Sequence, residues 1–550
     1  MVDYAPRTRL TTHTVDNQPP LRPPADPWLT DRPLRDVLAR LAPPWVGERL
    51  APLGARLADA EIETLADQAN RVPPRLRAFD RHGRRLDEVE YHPAYHALMT
   101  LAIEGGWQAV AWEQEYRGGH QAHAAGLYLL TQAEPGFCCP ITMTHAAMPV
   151  LRHLPDDEGW QTRLMGREYD PRARPAWHKT TNTFGMAMTE KQGGSDVRRN
   201  ATRAEPTDAG ATWYRLHGHK WFCSAPMSDA FLTLAQTDAG LTCFLAPRFT
   251  PDEQRNAIEI QRLKEKCGNR ANASAEIEYV GAWAQRVGEP GRGIAAILEM
   301  VQQTRLDAAM APAGMMRQAL REAWQQVQGR EAFGQRLSDQ PLMQRVIADL
   351  AIEAEASLWL AMRGASAMDG ASESEHEAAL ARLVPALAKF WNNKRGPTFM
   401  AEAMECLGGI GYVEESPLAR LYREAPVNSI WEGSGNVICL DVLRILARHP
   451  ASIEALRHEL NLSRGGHPAF DAAVELLERA TGQDASQQEA EARWLTQQMA
   501  QTLQAALLIR HAPHSVAETF CATRLGVPSP IFGVLPAQAP IADLLARLSD

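Results

Sequence analysis

The stretch Met186-Ala-Met-Thr-Glu-Lys-Gln-Gly-Gly-Ser-Asp196 stands where the chain changes its pattern. Upstream, apolar residues recur at helical spacing over stretches such as 58–69 and 92–104, with a break at Pro73-Pro74. Downstream, from 184 to 287, alternating β-rich runs at 213–216, 231–234, 241–245 and 275–280 are punctuated by Gly, Asn and Asp, which predicts a small antiparallel β-domain. The opening stretch has its own chemistry: a Gly-Gly-Ser turn through Gly194 and Ser195 offers closely spaced backbone N–H groups and a hydroxyl to a phosphate, and Thr189 reaches toward a heterocycle. Glycine pairs also make ordinary turns, and Met186 and Met188 serve equally as gap-filling core residues.

Past Gly291-Arg-Gly293 the helical period returns. Ile294, Ile297, Leu298, Val301, Leu306 and Met310 share one face of a long helix, and Leu342, Val346 and Leu350 belong to a second. A third runs over 378–407, where Pro385 and Pro397 predict kinks or breaks and Gly408-Gly409 a stop. The first residues are rich in proline, which predicts an extended arm. The resulting division is an arm over 1–44, a helical domain over 45–180, a β-domain over 181–290, a helical bundle over 291–445 and a separate helical appendix over 446–550.

A chain of 550 residues is too long for one core, and 45% apolar with 22% charged residues is the composition of an ordinary soluble protein. A net charge of −9 opposes nucleic-acid binding by the chain as a whole, while leaving room for a local basic groove. Eight scattered cysteines, without C-x-x-C or metal-ligand spacing, read as reduced thiols in a cytoplasmic protein with no metal site. No apolar run is long enough to cross a bilayer, which predicts no membrane insertion.

The second stretch that carries chemistry is Asn428-Ser-Ile-Trp-Glu-Gly-Ser-Gly-Asn436. It sets one carboxylate, Glu432, between an aromatic and a glycine-rich turn. Shielding by Trp431, with backbone brought close by Gly433 and Gly435, describes a partly desolvated general base, the alternative being a solvated surface turn.

Taken together, these motifs resemble those of the acyl-CoA dehydrogenase family of flavoenzymes. The 188–196 loop is similar to the family loop that holds the flavin and pyrophosphate, which implies Met186, Met188, Thr189, Gly194 and Ser195 as FAD contacts. Gly218-His-Lys-Trp-Phe-Cys-Ser224 resembles the strand covering the flavin, with Phe222 and Ser224 at the aromatic and hydroxyl positions. Arg330-Glu-Ala-Phe-Gly334 resembles the motif that reaches the neighbouring subunit's FAD, implying Arg330, Phe333 and, one residue early, Gln340. Met404-Glu-Cys-Leu-Gly-Gly-Ile-Gly-Tyr412 is similar to the glycine-rich turn beside the phosphates, implying Glu405, Gly408 and Gly409, with Glu405 where the family has Gln. The 430–436 stretch matches the catalytic loop, implying Glu432 as the base and Ser434 and Asn436 beside the cofactor, with Trp431 replacing a Tyr. Some members carry the base on the long helix before an arginine; here Thr304 precedes Arg305, which is left with a substrate-binding role.

The implied fold is mainly α with a central β-domain: a helical domain, an antiparallel β-domain and a four-helix bundle, plus an extra C-terminal helical domain. The likeness extends to the AidB-type branch, associated with the bacterial response to alkylating agents, through Thr12-His-Thr-Val-Asp-Asn-Gln-Pro19, Cys139-Pro-Ile-Thr-Met-Thr144 and Asn269-Arg-Ala-Asn-Ala273. That branch implies bound FAD, a homotetramer, an acyl-CoA or related substrate, and double-stranded DNA as a partner. Residues 446–550 oppose the last point, with eight arginines and no lysine against eleven acids, a net of −3.

Overall fold

The computed structural model describes residues 6–20, 24–114, 117–207, 210 and 212–548. They form two compact units, one of Met1–Glu63, Glu115–Ala133 and Ala308–Asp550, the other of Thr64–Gln114 and Glu134–Asp307.

The second unit is built on seven strands: β3 (Phe184–Ala187), β4 (Arg203–Pro206), β5 (Trp213–Ser224), β6 (Ala230–Thr237), β7 (Gly240–Pro247), β8 (Ile258–Leu263) and β9 (Ser274–Val287). Their order is β3-β6-β4-β5-β9-β7, β8 pairs with β9, and a β6–β7 pairing closes the path into a barrel. Leu216, Cys223, Phe231, Phe244, Ile260 and Ile277 fill its core and are all but inaccessible to water. The sheet is not purely antiparallel as the alternating runs predict, because β3 and β4 both run parallel to β6.

Residues 45–180, expected to be helical throughout, contain an antiparallel hairpin of β1 (Arg75–Phe79) and β2 (Arg85–Glu90). Its turn is closed by the Asp80 carboxylate, which accepts from the N–H groups of His82 (2.8 Å) and Arg84 (2.9 Å), while Gly83 takes φ +79°. In the same unit, helix Pro135–Leu151 fixes the start of β3, since Thr144 Oγ1 accepts from Phe184 N at 3.0 Å.

In the first unit, the described residues of the segment 1–44 are not one extended arm. Helix Arg32–Leu41 forms there because Pro33 occupies the first turn, where no backbone N–H is needed, and Asp31 caps it by accepting from Leu34 N at 3.0 Å. Helix Gly293–Gly329, which belongs to this unit from Ala308 on, and helices Pro341–Gly370 and Glu375–Leu407 are the long helices of the bundle, with Gly435–Arg448 against the last of them. Of the kinks or breaks expected at Pro385 and Pro397, neither proline makes a break: the helix is continuous over Glu375–Leu407 and ends where Gly408 takes φ +68°. Two amides tie the rods: Asn392 Nδ2 donates to the Ala309 and Ser357 carbonyls at 3.0 Å each, and Asn393 Nδ2 to that of Ala308 at 2.8 Å.

The segment 446–550, expected as a separate appendix, packs into this same unit. Helix Ala492–His511 lies against both Pro341–Gly370 and Glu375–Leu407. Arg524 pairs with Asp349 (2.6 Å) and Glu353 (2.9 Å), and Glu459 accepts from Arg363 (2.9 Å) and Arg510 (2.6 Å). Buried charges so matched hold the segment in one register.

Candidate active site

In the second unit, the strand β3 and the loop after it bring Met186, Met188, Thr189, Gly194 and Ser195 beside β5. The Thr189 carbonyl accepts from Trp221 N at 2.8 Å, and the Met188 carbonyl from Asn200 Nδ2 at 3.0 Å. A Cβ on Gly194 would stand 2.4 Å from Thr189 Oγ1, so only glycine lets the backbone lie this close. Beneath the loop Glu190 and Lys220 pair at 2.8 Å, both side chains wholly buried. Burial alone would raise the Glu190 pKa, but the Lys220 ammonium, the Thr202 hydroxyl and the Ala201 N–H outweigh it and hold the carboxyl down to about 2.

The β5–β9 register slips between Lys220 and Cys223, so Trp221 and Phe222 form a bulge. Phe222 is 47% exposed on it. Lys264 Nζ stands 4.7 Å from the centroids of both rings, and Trp221 Nε1 donates to Glu276 at 2.8 Å. Ser224 Oγ lies 3.1 Å from Ser274 Oγ. Arg305 is half-buried, next to a Thr304 whose hydroxyl donates to the Val301 carbonyl at 3.1 Å.

In the first unit, Glu432 has φ +57° and Gly433 φ +99°. A non-glycine residue held there costs about 1–3 kcal/mol and persists only where its surroundings impose it. Carboxylate oxygen Oε2 of Glu432 is shut off from solvent, and Lys389, in helix Glu375–Leu407, donates from Nζ to the Gly433 carbonyl. Lys394 Nζ donates to Ser429 Oγ at 2.7 Å, and Arg493 Nη1 to Asn436 Oδ1 at 2.8 Å. Ser434 is exposed just before helix Gly435–Arg448.

The Arg330 motif is a tight hairpin, β10 (Glu331–Ala332) with β11 (Gln335–Arg336). Asn17 grips it reciprocally: its Nδ2 donates to the Glu331 carbonyl at 2.9 Å and its Oδ1 accepts from Glu331 N at 2.7 Å. The tip presents Phe333 fully exposed with φ +55°. Gln340 folds back, donating from Nε2 to the Ala332 carbonyl at 2.9 Å. Glu405 is exposed, and it joins burial in raising the pKa of Glu402. A Cβ on Gly408 or Gly409 would meet nothing within 4 Å, so an open cradle lies over that turn.

The chain's residues thus divide into two sets: a glycine loop with a bulged aromatic strand in one unit, and a strained, shielded acid, an Arg-x-x-Phe hairpin with an exposed Phe333 tip and an open glycine turn in the other. Sequence reasoning missed Lys220, Lys389 and Arg493, each the partner of a residue it had singled out or of that residue's immediate neighbour, and Lys394, whose partner Ser429 lies in the Glu432 stretch. The one available signal was Lys389, a lysine within an otherwise apolar helical run.

Three family descriptions match: the adaptive response protein AidB N-terminal domain over residues 17–171, the acyl-CoA dehydrogenase middle domain over 185–281 and the acyl-CoA dehydrogenase C-terminal domain over 291–447. Order and architecture agree with them, and the chain belongs to the acyl-CoA dehydrogenase family, as an FAD-dependent oxidoreductase of AidB type. It is 44% identical over 539 residues to the putative acyl-CoA dehydrogenase AidB of Escherichia coli K12, covering 98% of each chain. Acyl-CoA dehydrogenase family member 11 of Caenorhabditis elegans is 34% identical over 77% of this chain and 70% of its own. The solved structure of C. elegans ACDH-11 in complex with C11-CoA superposes with a TM-score of 0.86 at 29% identity, over 96% of this chain and 95% of that one.

Proposed function

We propose that the protein dehydrogenates a thioester of the acyl-CoA class, with Glu432 as the base that removes the proton alpha to the carbonyl. The observation that carries this is the conformation of Glu432, strained at φ +57°, half-buried beside Trp431, with one carboxylate oxygen closed to water. Strain of this kind collects at functional sites, and shielding strengthens a carboxylate as a base. FAD, when bound, supplies the acceptor for the beta hydride at its N5, and the product is a trans-2-enoyl thioester.

The rest of the chain orients and encloses. The N–H groups around Gly194 and the Ser195 hydroxyl would hold the FAD phosphates, Thr189 the heterocycle, and Met186, Met188, Phe222 and Ser224 would line the flavin. Phe333, fully exposed, and the half-buried Arg330 at the base of the same hairpin fit a role completed by a second copy of the chain, in a homotetramer; Gln340, Glu405, Gly408, Gly409, Ser434 and Asn436 would serve FAD and Arg305 the substrate.

A second reading is that the protein guards double-stranded DNA during alkylation. Exposed Arg198, Arg199 and Arg203, on and beside β4, form no ion pair among the described residues, and cations of this kind neutralise phosphates. Titrating the purified flavoprotein anaerobically with thioesters of graded chain length tests the first reading: bleaching of the flavin band by one of them supports it, and a band unchanged by all of them refutes it.

A further inference from the structure

We infer that Lys389 is a positioning residue for the base: its buried ammonium, bound to the Gly433 carbonyl, keeps Glu432 in the left-handed conformation that aims its carboxylate. The inference rests on the reading of Glu432 as that base. Lys389 is 1% exposed, in a helix whose neighbouring residues Leu383, Val384, Leu387 and Ala388 are inaccessible. An apolar side chain would suit such surroundings, whereas a buried ammonium needs polar partners, and the Gly433 carbonyl is one of them.

The anchor is rigid. Asn393 Nδ2 donates to the Lys389 carbonyl at 2.7 Å and to that of Ala308 at 2.8 Å, while the adjacent Asn392 reaches Ala309 and Ser357, so the turn carrying Lys389 is pinned to two other long helices. What it holds is a strained turn: two consecutive residues at positive φ, Glu432 and Gly433, between helices. Freed at Gly433, Glu432 relaxes toward the negative φ that residues with a Cβ favour, and its carboxylate swings away. Close seating continues through Gly435, where a Cβ would stand 3.1 Å from Lys394 Cε.

The test is Lys389→Met in the full-length flavoprotein. Flavin content, thermal midpoint and thioester KM should stay near wild type, while the rate of flavin reduction falls by about 100-fold, the size of effect that misplacement of a reacting group produces. A crystal structure of the variant should show Glu432 out of the left-handed region. An active wild type with an equally fast variant overturns the inference and leaves the proposed reaction standing. If no thioester reduces the wild type, the proposed reaction fails by itself, and the conformation of Glu432 in the variant still decides: φ unchanged overturns the anchoring role. Should Lys389→Met not accumulate, Lys389→Gln, shorter and uncharged, goes through the same measurements.

Discussion

Lys220 Nζ lies 2.8 Å from Glu190 Oε1 in an ion pair from which water is excluded on both sides, directly under the 188–196 loop. The Leu234 carbonyl (2.8 Å) and the Thr202 hydroxyl (2.6 Å) complete it, so the glycine loop rests on a matched pair of charges. Replacing Lys220 by Met leaves Glu190 buried and uncompensated, which is expected to destabilise the β-domain by about 3–5 kcal/mol. Denaturant unfolding followed by tryptophan fluorescence measures it; a midpoint unchanged from wild type would show that the pair is not needed.

The same pair sets an acid limit. Glu190 and Glu459 are both held at about 2, against a usual 4.5. A carboxylate with a depressed folded-state pKa contributes stability above its unfolded pKa and loses it as pH falls toward the folded one. The stability these two carboxylates contribute should therefore decline progressively below about pH 4.5. Unfolding curves taken over that range test this, and a stability that rises on acidification would contradict it.

Gly194→Ala drives a methyl to 2.4 Å from Thr189 Oγ1. The loop must shift while the barrel stays folded, so FAD affinity should drop by about 10-fold or more, roughly 1.4 kcal/mol, with circular dichroism unchanged. Flavin retained through dialysis is the readout, and full retention would remove Gly194 from the site.

Arg330→Ala should lower flavin content and subunit assembly together, because the hairpin projects Phe333 wholly outward. Asn17→Ala, which releases the two bonds to Glu331, should do the same to a lesser degree. Light scattering with flavin absorbance measures both. A monomer with full FAD would contradict the intersubunit role.

The order of elements was legible because helical and alternating periods change sharply at 181 and 291, and the Glu432 loop because its Trp-Glu-Gly-Ser-Gly composition has few structural uses. Other features depend on tertiary contacts that no local pattern encodes. The β1–β2 hairpin is rich in charge and mostly unburied, so it carries little apolar alternation to read. Helix Glu375–Leu407 continues through two prolines that locally forbid it, and the prolines of 33 and 44 begin helices where the sequence predicted an extended arm. Lys389 and Lys220 look like misplaced charges until the Gly433 carbonyl and Glu190 are seen opposite them.

Glu432→Gln isolates the proton transfer assigned to Glu432, since the amide keeps shape and hydrogen bonding and cannot act as the base. The decisive measurement is the stopped-flow rate of flavin bleaching by a thioester that reduces the wild type. With Glu432 as the base, that rate falls by orders of magnitude while FAD stays bound and any salt-dependent DNA affinity is unchanged. A variant that bleaches as fast as wild type would contradict it.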